Sequence, residues 1–140
     1  MSGSGGGVRR YGRPLVAALA VLAVGLYVWG RDNTPAAFTD RTALPGCGTV
    51  EQAAIGATPV TAAEQCLVAA MRAGGGAELV VVGMTDEGAR VVTYLRAVPG
   101  KPGLEVFDDR TRDRFSTEEW GYRTCPAATG PAALGDCGGG

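Results

Sequence analysis

An uninterrupted apolar run, PLVAALAVLAVGLYVWG, fills residues 14–30 without a single charge and is bounded by Arg13 and Arg31. As a helix it would be about 25 Å long, a little under the ~30 Å hydrocarbon core of a bilayer, and arginines at both ends can snorkel to cover the shortfall. A helix that is apolar on every side must be surrounded by lipid or by a large protein. With 140 residues, 31 of them Gly or Pro, the chain has room for one domain at most and cannot wrap such a helix itself. The run is therefore expected to be a transmembrane anchor.

A cleaved secretory signal is the alternative. The run ends in Tyr27, Val28 and Trp29, followed by Arg31 and Asp32, which is not a small-x-small cleavage site, and Thr34-Pro35-Ala36 matches one poorly. Tyr and Trp instead suit the membrane interface of an uncleaved anchor. Arg9-Arg10 lacks the apolar residues that follow a twin-arginine pair, and Cys47 lies too far beyond the run to be a lipid-modified cysteine. Arg9, Arg10 and Arg13 make residues 1–13 a cytoplasmic stub by the positive-inside rule, which places residues 31–140 outside a cell membrane crossed once. The Ala-, Gly-, Arg- and Val-rich, Lys-poor usage is that of a high-GC bacterium, and the compartment is then its cell envelope.

The formal net charge of −1 averages two unlike parts. The stub carries three Arg and no acid, whereas residues 31–140 carry ten Lys or Arg against fourteen acids, a net of −4. Nothing here forms a basic, aromatic-interleaved surface for nucleic acid. The absence of His, with only three Ser, excludes a Ser-His-Asp or Cys-His site, so no enzyme is expected, and no motif points to a cofactor.

Residues 31–46, with two Pro and no apolar period, read as a linker, and residues 126–140 (PAATGPAALGDCGGG) as a flexible tail, leaving 47–125 to fold. Thr61-Ala62-Ala63-Glu64 is a capping box that opens a helix over 62–73, with Ala63, Cys66, Leu67, Ala70 and Met71 on one stripe and Gly74 to stop it. Residues 79–84 (LVVVGM) read as a buried strand. Thr85-Asp86-Glu87-Gly88 follows as a hairpin turn, and residues 89–98 as the return strand, with Val91, Thr93 and Leu95 on one face and Arg90, Val92, Tyr94 and Arg96 on the other. Further strands are expected at 104–107 and 122–125, and Ser116 to Glu119 resembles the first turn of a short helix. The expected fold is α+β: one helix packed on a three- to four-stranded antiparallel meander, carried on the N-terminal transmembrane helix.

Four Cys in an exported segment fit two disulfides, for which three connectivities exist. Cys66–Cys125 would tie the helix to the sheet, and Cys47–Cys137 would then fasten the two ends. Gaps of 19, 59 and 12 residues lack the paired short spacing of a zinc or redox site. The run Asp108-Asp109-Arg110-Thr111-Arg112-Asp113-Arg114-Phe115 places oxygens at 109, 111 and 113, as a calcium loop does, but lacks that loop's Gly and final Glu and alternates with Arg. Its residues Asp109, Thr111, Arg112, Asp113 and Phe115, together with Trp120, are the candidate interaction loop. A cation- or ligand-binding sensor on Asp109, Thr111 and Asp113 is the rival from another class. An enzyme using Asp108, Asp109, Asp113, Glu118 and Glu119 would further need a cleft that raises one carboxyl's pKa.

Residues 66–126 resemble a family of short bacterial exported domains and lipoproteins of unknown function. The likeness rests on Thr85, Glu87 and Gly88 at the end of one strand, on Asp109, Thr111, Arg112, Asp113 and Phe115, and on Cys125. It implies a fold and an envelope location but no activity. The expected partners are a lipid bilayer, through residues 14–30, and another envelope protein. Thiol alkylation of protein isolated from the envelope is expected to label no cysteine before reduction and four after it; four reactive thiols at the outset would overturn the compartment assigned here.

Overall fold

The computed structural model describes residues 34–52 and 61–139. The apolar run at 14–30 and the stub before it lie outside the described residues, and among the described residues no helix is long and apolar enough to cross a membrane. The elements in chain order are α1 (Ala36–Thr39), β1 (Gly46–Glu51), α2 (Ala62–Ala73), β2 (Ala77–Met84), β3 (Arg90–Ala97), β4 (Leu104–Asp109), β5 (Trp120–Cys125) and β6 (Gly138–Gly139). They build a mixed α+β fold on a six-stranded sheet ordered β1-β2-β3-β4-β5-β6. The pair β1–β2 is parallel, with α2 as its crossover, and every other pair is antiparallel.

Helix α2 has the expected ends. The Thr61 Oγ1 accepts from the Glu64 N–H, the Glu64 carboxylate accepts from the Thr61 N–H at 2.6 Å, and Gly74 closes the helix in the left-handed region at φ 66°. Its Ala63, Leu67, Ala70 and Met71 pack on one face of the sheet, against a core of Val50, Leu79, Leu95, Leu104, Val106 and Cys125. Cross-strand register explains the set: Leu79, Leu95, Val106 and Arg123 lie in one row, and Ala77 and Ala97 are directly opposed.

The opposite face is covered by residues 34–45, a strap rather than a linker. The Phe38 ring sits 4.7 Å from Tyr94, 5.4 Å from Phe107 and 4.6 Å from Trp120. The Arg41 guanidinium lies 3.6 Å above Phe38. Beyond Arg41 the strap meets a row of charges running across three strands, because register places Glu78 beside Arg96 and Arg96 beside Glu105. Arg96 is buried at 3 % exposure; its Nε donates to Glu78 at 3.1 Å, its Nη1 to Glu105 at 3.0 Å and its Nη2 to the Thr42 carbonyl. Arg41 and Lys101 complete the row from outside, pairing with Glu78 and Glu105.

Four further expectations need correction. The region 46–51 was not expected as a strand, and its parallel seat beside β2 brings Cys47 under α2. The disulfides are therefore Cys47–Cys66 and Cys125–Cys137, with Cα separations of 5.6 and 4.1 Å, and not Cys66–Cys125 with Cys47–Cys137. Cys137 reaches Cys125 because β6 returns alongside β5, pairing Gly139 with Arg123 and Gly138 with Thr124. Residues 126–139 are consequently held: Ala128 is buried, Leu134 packs on the core, and Thr129 N–H donates to Ala133. No helix forms at Ser116 to Glu119, since the Glu119 carbonyl extends the β4–β5 ladder by accepting from Arg110 N–H. At Gly103, where φ is 68°, an added Cβ would collide with the Cys125 carbonyl and Pro126.

Truncating Arg96 would leave the buried Glu105 and the partly buried Glu78 without their shared cation. Arg96→Ala is expected to cost about 3–5 kcal/mol in denaturant unfolding. Arg96→Met with Glu78→Gln and Glu105→Gln should cost distinctly less, and equal losses would show that the charge row is not what the substitution disturbs.

Candidate interaction face

The functional candidates gather at the end of the sheet formed by the β2–β3 turn (85–89) and the β4–β5 loop (110–119). Both connections leave strands at the end away from the Arg96 row. On the α2 face, the last inward residue of β4 is Asp108, buried at 4 % exposure. Its Oδ1 accepts from the Thr93 hydroxyl at 2.7 Å, its Oδ2 is ion-paired with Arg123, and Arg110 lies 3.8 Å away. The register that opposes Thr93 to Asp108 and Gly121 to Asp108 puts these groups together, with the Asp108 side chain lying over Gly121. A half-open cavity of about 500 Å³ lies over this end, lined by Val81, Val91, Thr93, Arg110, Asp113 and Gln52 among others.

The loop is ordered by its own side chains. Asp109 Oδ1 accepts from the Thr111 N–H at 2.9 Å and from its hydroxyl at 2.7 Å. Asp113 Oδ1 accepts from the Phe115 N–H at 3.0 Å, while the Asp113 N–H donates to the Arg110 carbonyl and its carbonyl accepts from Ser116 N–H. The Ser116 hydroxyl then closes on the Glu118 carbonyl at 2.7 Å. These Asx turns give the Asp residues of the run a local backbone role, while Arg112 and Arg114 stay exposed. Arg112 and Phe115 are exposed, Phe115 at 66 %, with the Arg114 guanidinium 5.6 Å from its ring. Met84, at the end of β2 and lining the same cavity, is 61 % exposed.

The structure thus brings Asp109, Thr111, Arg112, Asp113 and Phe115 into one folded loop and sets Trp120 apart from it. Trp120 begins β5 on the strap face, under Phe38, so its contribution is to packing. Met84 and the cavity floor were not among the expected site residues; the apolar LVVVGM run reads as core, and only the position of its last residue at a turn hinted otherwise. Asp109 and Asp113 turn their carboxylates onto their own loop. Among the described residues no group of three or more His, Cys, Asp or Glu could hold a metal ion. Tyr94, beneath Phe38, has its phenol held above the ordinary value by burial first and by Asp109 second.

No family model matches the sequence, and neither a curated protein nor a solved structure matches the chain.

The loop end and the strap face separate cleanly by substitution. Phe115→Ala and Met84→Ala remove exposed groups and are expected to change unfolding free energy by no more than about 0.5 kcal/mol. Phe38→Ala empties the centre of an aromatic cluster and should cost about 3 kcal/mol. A large loss on truncating Phe115 would identify it as a packing residue and remove it from the interaction face.

Proposed function

We propose that the chain is a single-pass membrane protein of the bacterial cell envelope whose extracytoplasmic domain acts by contact with another envelope component rather than by catalysis. The observation that carries this reading is an exposed phenylalanine on a loop pre-ordered by its own aspartates, with an exposed methionine at the same end of the sheet. An apolar side chain held out on a rigid loop contributes contact area at little ordering cost when a partner binds. The apolar run at 14–30 supports the anchor, the Tyr and Trp at its outer end favour an uncleaved segment, and two disulfides suit an oxidising compartment. The resemblance of residues 66–126 to exported bacterial domains supports the same location. A cation sensor on Asp109, Thr111 and Asp113 has less support, because two of these oxygens already serve the loop's own backbone.

Topology reporters test the first half. A phosphatase fused after residue 140 is expected to be active outside the membrane, and intact-mass measurement of the membrane fraction should find residues 1–30 still attached. A mature chain beginning near residue 37 and released from the membrane would establish the cleaved alternative.

A further inference from the structure

We draw no further inference here: the strongest candidate, the half-open cavity of about 500 Å³ at the loop end of the sheet, is lined by charges of both signs, Arg110 against Asp86, Glu87 and Asp113, and adjoins at Gln52 the segment 53–60 that lies outside the described residues, so nothing in the structure shows what covers it.

Discussion

A buried guanidinium organises this fold. Arg96 sits at 3 % exposure in the third strand, and each of its three nitrogens serves a different element: Glu78 of β2, Glu105 of β4 and the Thr42 carbonyl of the strap. Desolvating such a charge costs several kcal/mol unless every donor is satisfied, so the arrangement exists only when two strand registers and the strap's path are all correct. Arginine suits the position where lysine would not, because its donors are fixed in one plane and point in divergent directions. The cross-strand row Glu78-Arg96-Glu105 therefore acts as a register pin: a one-residue slip of β2 or β4 would turn a carboxylate to the α2 core.

The same row explains why the two faces of the sheet are covered so differently. The α2 face is apolar near the helix and closes with Leu67, Leu79, Leu95 and Val106, all essentially inaccessible to solvent. The other face mixes charge with aromatic rings and could not be sealed by a second apolar helix without stranding Arg96. An irregular strap can do so, because it offers a free backbone carbonyl to Arg96, an aromatic ring to Tyr94, Phe107 and Trp120, and a second arginine to Glu78. Residues 34–45 look like a linker in sequence because these contacts need only Phe38, Arg41 and one carbonyl, none of which leaves a periodic pattern.

Where local chemistry is self-sufficient, the sequence was readable. The bounds of α2 follow from a capping box and a glycine stop, and the faces of β3 follow from strict alternation around Tyr94 and Leu95. Strand β1 was invisible because GCGTVE offers one large apolar side chain, Val50, and its strand character comes entirely from pairing with β2. Strand β6 is two glycines placed by a disulfide and by the edge of β5. The disulfide connectivity is hidden for the same reason: without β1, Cys66 and Cys125 are the two cysteines on recognisable elements, and Cys47 and Cys137 are left to each other. In the candidate site, the loop residues 109–115 were legible from their Asp and Arg alternation. Met84 and Trp120 were not, since exposure of the one and burial of the other depend on which element covers each face.

Geometry also explains why the loop end is the part of the domain that no other described element covers. A twelve-residue helix is about 18 Å long, while an eight-residue strand spans about 26 Å. Helix α2 therefore cannot cover β2 and β3 from end to end, and its core contacts fall at the Ala77, Leu79, Leu95 and Ala97 end. Beyond them the same face turns polar, with Thr93, Asp108 and Arg123 satisfying one another instead of a helix. A self-contained polar cluster at that point holds the strand ends in register while leaving the connecting loops without a packing duty. Phe115 and Met84 can then remain exposed at no cost to the core, which is the condition under which an apolar side chain is available to something outside the fold.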